Sequence, residues 1–234
     1  MGAGWVAELP QSWAQGIYID PQESKAIVQT QPPFLSKTLL ALEDLPQTSP
    51  DHQAIQFQNK SFTHLSLSPD GQKIAFSVAG VFHGWSGIFS LGSKDVQQLA
   101  LCFEGKTAEP HWSEDGRFLA VEEKQARNTY FFELFDLQEG KQCRLDGRAA
   151  RNKFLNFFEP WWSPKGDKIF FKVEYNNTYR KAVGLKPKKF SNRIGEADLN
   201  CKKIKFYTVK EFMKKFPEES QNELISQTED KPSL

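Results

Sequence analysis

Ser68-Pro69-Asp70-Gly71-Gln72-Lys73-Ile74-Ala75-Phe76 reads as a tight turn running into a strand, and the chain repeats the phrase twice. Ser113-Glu114-Asp115-Gly116 leads into Arg117-Phe118-Leu119-Ala120-Val121, and Ser163-Pro164-Lys165-Gly166 leads into Asp167-Lys168-Ile169-Phe170-Phe171. The three Ser residues stand 45 and 50 positions apart. Pro in second place has φ already set near −65°, and the closing Gly accepts positive φ at little cost. Ahead of the turn apolar residues alternate, as in Leu65 and Leu67 or Pro110 and Trp112. Behind it comes a short unbroken apolar run, the pattern of a strand covered on both faces.

A second hairpin follows in each unit. Residues 130–137 read as a strand, 138–140 as a turn and 141–145 as an outer strand; 87–91, 92–95 and 96–101 play those parts one repeat earlier. Four strands recurring every 45–50 residues or so define the blade of a β-propeller. A fainter copy lies upstream, where Tyr18-Ile19-Asp20-Pro21-Gln22-Glu23-Ser24-Lys25-Ala26 aligns 48 positions ahead of the first clear repeat, without its Gly. Residues 38–43 and 52–57 are read as its second hairpin. The expected fold is therefore all-β, about four four-stranded blades in a closed, incomplete or open propeller. The blades are placed at about 15–60, 61–105, 106–150 and 151–210, after an N-terminal arm over 1–14. Residues 209–216, with Phe212, Met213 and Phe216 at helical spacing, read as a short amphipathic helix, and the polar stretch after it as a flexible tail within 211–234.

With Pro and an aromatic just ahead of the Ser (Glu109-Pro110-His111-Trp112-Ser113 and Glu159-Pro160-Trp161-Trp162-Ser163), the repeat resembles that of the TolB-like propellers over roughly residues 15–210. The WD-type repeat is a poorer match, because no Trp-Asp dipeptide closes a unit. The resemblance implies a fold and says little of activity, since such repeats occur in periplasmic binding proteins, peptidase accessory domains and assembly factors. It also implies a six-bladed ring, whereas 234 residues hold only about four blades of this period. A small ring, an open arc completed by a partner, and a truncated relative of a longer protein all fit. Exposed sheet edges are a hazard for an isolated chain, so an open arc argues for a stable complex.

Composition excludes several classes. The net charge is +1, and hydrophobic content is concentrated in 20 Phe and 6 Trp. No segment has the roughly 20 consecutive apolar residues of a membrane helix. The N-terminus shows no basic and apolar leader, which reads as cytoplasmic, or as periplasmic if an upstream leader is missing. Cys102, Cys143 and Cys201 lack metal-ligand spacing and read as structural thiols, with a Cys102–Cys143 bridge as the alternative. Asn59-Lys60-Ser61 and Asn176-Asn177-Thr178 match the glycosylation pattern.

Catalytic signatures are missing: there is no Gly-x-Ser-x-Gly, no phosphate loop and no paired-His zinc motif. Asp70 and Asp115 recur at one turn position, where an Asp that bonds its own backbone explains them without calcium. No catalytic residue, metal or cofactor is assigned. The candidate site is the propeller channel mouth: with Pro110 and Trp112 between blades, alternation points Glu109 and His111 at the channel, with His64, Glu159 and Trp161 as their counterparts. Of Trp161 and Trp162, one belongs to the core, because neighbouring strand residues face opposite ways. A second candidate is the basic stretch 180–215, with twelve Lys or Arg against three acids, and Lys186, Lys188, Lys189, Arg193, Lys202 and Lys203 as its patch. The leading expectation is a non-catalytic protein-interaction or assembly subunit that binds other subunits or a peptide segment. The alternatives are a hydrolase or lyase working through Glu109, His111 and Glu159 at the channel mouth, and nucleic-acid binding through 180–215.

Overall fold

The computed structural model describes residues 16–31, 35–48, 56–103, 109–125, 128–188 and 193–221. They form four antiparallel up-and-down sheets, in two compact units, Met1–Pro110 and His111–Leu234. The sheets are propeller-type blades.

The first unit holds β1 (Ile17–Ile19), β2 (Ala26–Gln31) and β3 (Leu35–Ala41) in one sheet. The next sheet contains β4 (Asn59–Leu67), β5 (Lys73–Gly80), β6 (His83–Ser90) and β7 (Val96–Phe103). The first sheet thus has three strands among the described residues where four were expected. Of the segment 52–57 read as its last strand, 52–55 lie outside the described residues, and Gln56 makes one isolated bridge to Thr48. The two sheets enclose a core in which Phe57, Phe76 and Trp85 stack or meet edge-on at 5.4–5.6 Å.

The second unit pairs β8 (Pro110–Trp112), β9 (Phe118–Gln125), β10 (Thr129–Asp136) and β11 (Lys141–Leu145) in one sheet. Its partner sheet has β12 (Leu155–Trp162), β13 (Lys168–Tyr175), β14 (Arg193–Asp198) and β15 (Ile204–Thr208). Phe132, Phe157 and Phe171 fill the space between these two sheets.

The repeated phrase owes its geometry to three bonds. In each turn the Gly N–H donates to the Ser carbonyl at 2.8–2.9 Å, and Gly71, Gly116 and Gly166 have φ of 66–70°. The buried Ser hydroxyl accepts from the first strand amide, that of Lys73, Phe118 or Lys168. It donates to a carboxylate: Asp70 at 2.6 Å, Asp115 at 2.6 Å, and, where Lys165 stands in the Asp position, Asp167 at 2.9 Å. These bonds hold the Asp70 and Asp115 carboxyls below the usual range. In the faint first copy Asp20 N–H donates to the Ala26 carbonyl, a turn one residue longer, and Ser24 takes the left-handed position at φ 56° that glycine fills elsewhere.

Two short helices decorate the last sheet. The first, α1 (Asn177–Ala182), is inserted between β13 and β14, inside the segment 151–210 assigned to the fourth blade. The second, α2 (Val209–Lys215), opens on a capping box, with Thr208 Oγ1 accepting from Glu211 N–H and the Glu211 carboxylate accepting from Thr208 N–H. It lays Val209, Phe212 and Phe216 against Trp161, Phe170 and Ile194. The face of the β12–β15 sheet turned away from the β8–β11 sheet is therefore covered by a helix, where another blade would pack in a propeller. Residues 217–221, read as the start of a flexible tail, form a 3-10 turn that buries Glu219, whose Oε2 accepts from the Trp161 indole N–H at 3.1 Å. The rest of that tail, 222–234, and the N-terminal arm lie outside the described residues.

Candidate functional site

A cleft of about 650 Å3 opens between the two sheets of the second unit, at the end where the repeated turns sit. One wall comes from the β8–β11 sheet: Asp115, Arg117, Asp136, Glu139, Lys141, Gln142 and Cys143. The other is the β12–β13 turn, with Lys165 and Asp167, and the β14–β15 turn, with Asn200 and Lys202. Arg117 grips both oxygens of Asp136, at 3.1 and 2.6 Å, and reaches Glu139 at 3.2 Å; Lys141 meets Glu139 at 2.5 Å. The Arg117 hydrogen bond is the main cause holding the Asp136 carboxyl below its ordinary range.

A disulfide ties these walls together. Cys143 on β11 bonds Cys201 in the β14–β15 turn, with Cα atoms 5.9 Å apart. This corrects the reading of Cys143 and Cys201 as structural thiols and the alternative of a Cys102–Cys143 bridge. Cys201 has φ of 56°, a turn conformation that the residue types did not announce, and packing of the two sheets brings it against β11. The Cys102 side chain lies outside the described residues.

The predicted channel residues are divided between the two units. His64 and Glu109 belong to the first unit; His111, Glu159 and Trp161 belong to the second. His64 is half-buried on β4, with Nδ1 lacking a hydrogen-bond partner among the described residues, and Glu109 is exposed. The His111 carbonyl accepts from the Trp162 indole at 3.2 Å. Glu159 pairs with Lys172 at 2.5 Å while its N–H donates to Glu122 at 2.7 Å. A bulge between Phe158 and Trp161, with Glu159 at φ 50°, inserts one residue into β12. That extra residue shifts the alternation, so Trp161 is sealed beneath α2 and Trp162 faces the β8–β11 sheet. Trp161 was expected at a channel surface; its indole is a core group here.

The basic patch is divided. Lys186 and Lys188 follow α1 and are bonded to Arg180 and Asn177 at their backbones, and Arg193 starts β14, 3.9 Å from Glu211. Lys202 and Lys203 sit in the turn beyond the other end of β14, their amides bonded to Asp198. A strand of that length separates the two groups by roughly 17 Å. Lys189 lies outside the described residues. Both glycosylation-pattern asparagines serve the fold instead. Asn176 is buried, caps α1 and donates to the Asn128 carbonyl, and Asn59 links the Pro46 carbonyl to the Trp85 indole.

Two acidic centres escaped the sequence reading. Glu123 on β9 is 2% exposed, and burial, reinforced by the Glu133 charge and opposed by Arg144, pushes its carboxyl up to about 8. Glu133 is raised too, by burial. On the last sheet, burial would raise Glu196, but bonds from Tyr207 at 2.6 Å and Lys215 at 2.9 Å, with the Lys215 and Lys168 charges, leave it lowered. That cluster bolts α2 to β14 and β15. Among the described residues no three His, Cys, Asp or Glu side chains gather as a metal site, and no helix is long and apolar enough to cross a membrane.

Antiparallel blades repeated on a Ser-x-x-Gly turn define a β-propeller-type fold, and the chain is similar to several solved structures. TolB from Acinetobacter baumannii is 14% identical at a TM-score of 0.45, over 81% of this chain and 39% of its own. A putative TolB from Agrobacterium tumefaciens is 16% identical at 0.39, over 77% and 59%. A prolyl endopeptidase is 13% identical at 0.47, over 79% and 26%. The chain thus spans less than two thirds of each, and the likeness is one of fold. No family model and no curated protein matches the chain.

Proposed function

We propose that this chain is a non-catalytic protein-interaction module, an accessory or assembly subunit that presents its blades to other proteins. The observation that supports this best is how the polar groups of the second unit are used. Its turn Ser and Asp residues, Glu159 with Lys172, Glu196 with Tyr207 and Lys215, and Trp161 with Glu219 are all bonded within the fold. A general acid or base must instead reach a substrate with its proton-carrying atom. A polar cleft on a rigid sheet scaffold suits recognition.

Reciprocal affinity purification tests the reading. The tagged chain, expressed in its own cells at its natural level, should retain the same protein at a constant ratio through successive columns, and tagging that protein should return this chain. Loss of every co-purifying protein at physiological salt, or turnover of a hydrolysable substrate by the homogeneous chain, would overturn it.

A further inference from the structure

We propose that α1 and the loop after it, residues 177–188, form a docking surface for a partner protein segment that is acidic around an apolar centre; this rests on the interaction reading above. Val183 and Leu185 are 44% and 41% exposed, two of the four exposed large apolar side chains among the described residues. The charge around them is one-sided. Over residues 174–188 stand Arg180, Lys181, Lys186 and Lys188 against Glu174 alone. Lys153, just ahead of β12, joins them, its Nζ 6.0 Å from the Tyr179 ring. Lys153, Lys181, Lys186 and Lys188 are exposed, and none forms an ion pair with a carboxylate of the described residues. Lys153 lies 5.3 Å from the Phe154 ring and Lys188 5.7 Å from that of Tyr175, contacts that hold a cation without cancelling its charge. The flanking acids are neutralised or turned away. Asp146 and Glu159 are each paired with a cation, Arg144 and Lys172. Glu174 points, by strand alternation, to the opposite face of β13 from Tyr175.

The loop is fixed, so it cannot fold its aliphatic groups away. Asn176 caps α1 through the Tyr179 amide and is itself tied to the Asn128 carbonyl. Gly184, at φ 76°, turns the chain out of the helix, and the Leu185 amide donates to the Arg180 carbonyl at 2.9 Å. Arg180 Nε donates to the Lys186 carbonyl at 3.0 Å from a buried side chain. Asn177 accepts from the Lys188 amide at 2.9 Å and donates to its carbonyl at 3.1 Å. Apolar groups held in water at a fixed place bind with little ordering cost. Chemistry then selects the occupant. Two aliphatic side chains offer nothing to a phosphate backbone, and the one aromatic ring of the segment, Tyr179, packs on Phe154 at 5.4 Å instead of standing free for base stacking. Two aliphatic residues are also too few for the broad apolar face that holds a helix in a bilayer interface. An acidic segment with apolar side chains at its centre answers both the lysines and the pair between them.

The test is a titration of the 15N-labelled, disulfide-intact chain with a capped heptapeptide of five glutamates and two leucines, followed by amide shifts. The expected result is saturable shifts concentrated at 153–154 and 177–188. Affinity should fall about ten-fold in Val183→Ser/Leu185→Ser and about ten-fold in Lys181→Gln/Lys186→Gln/Lys188→Gln, whose binding should also lose most of its salt dependence. Shifts centred on other residues, equal affinity in either variant, or equal affinity for heptaglutamate would overturn the proposal. So would tighter binding of phosphatidylserine vesicles or of a DNA duplex than of the peptide. In reciprocal purification, a Val183→Ser/Leu185→Ser chain that keeps a partner at the wild-type ratio overturns this surface and leaves the interaction reading standing. A wild-type chain with no partner overturns both.

Discussion

Replacing Cys143 and Cys201 with serine removes the one covalent tie between the sheets of the second unit among the described residues, and its cost can be worked out. The bond closes a separation of 58 residues. In the chain-entropy description, a loop of that size takes about 14 cal/mol/K from the unfolded chain, or about 4 kcal/mol at 25 °C. With a urea m-value on the order of 2 kcal/mol/M, the unfolding midpoint should fall by about 2 M. Trp161 and Trp162 are in the second unit and Trp85 in the first, so single-tryptophan chains that keep only Trp162 or only Trp85 report each unit separately. The drop should appear at Trp162, and adding a phosphine reductant to the wild-type chain should reproduce it. Iodoacetamide should label one cysteine of the three in the denatured, unreduced chain. Midpoints that agree within about 0.3 M, or three labelled cysteines without reduction, would show that the bond is absent or carries no stability.

Three further outcomes are expected. Glu123 is protonated in the fold and ionised in the unfolded chain between its ordinary value of 4.5 and about 8. Its contribution is therefore complete below pH 4.5 and is lost as pH rises toward 8, at about 1.4 kcal/mol per pH unit and on the order of 5 kcal/mol in all. Glu123→Gln should flatten that slope in urea midpoints measured from pH 5 to 8, and an unchanged slope would contradict the burial of the acid. Phe212→Ala should cost about 3–5 kcal/mol and red-shift Trp161 emission, since the ring meets Trp161 and Phe170 at 6.1 and 4.9 Å; unshifted emission would show that α2 does not cover the indole. Gly166→Ala should lose only about 1 kcal/mol for its positive φ, as nothing lies within 4 Å of the new methyl. Gly195→Ala should be far worse, because its Cβ would sit 2.1 Å from the Phe171 ring. Equal melting temperatures for the two would overturn that packing.

The repeat made the blades legible because each Ser-x-x-Gly turn is specified locally, by a hydroxyl, a carboxylate and a glycine within five residues. The amphipathic helix was readable for the same reason, from Phe212, Met213 and Phe216 on one face. What escaped depends on contacts distant in sequence. The Glu159 bulge moves Trp161 from the expected channel to a position beneath α2, and strict two-residue alternation has no means of registering one extra residue. Cys201 finds Cys143 only because two sheets pack. The basic run looked continuous in sequence, yet one strand, β14, carries its halves to opposite ends. Glu123 follows the apolar run 118–121 and stands between Glu122 and Lys124, where the sequence reads as a polar strand end; its shift comes from burial that only sheet packing supplies.

The most direct test of the central claim is native mass spectrometry of the chain purified under mild conditions from its own cells. The expected spectrum shows a species heavier than the chain by the mass of one or more defined protein subunits, in a fixed ratio, which gives way to the lone chain as collision energy rises. A spectrum with only the 26.8 kDa monomer under conditions that preserve a known control complex would contradict it.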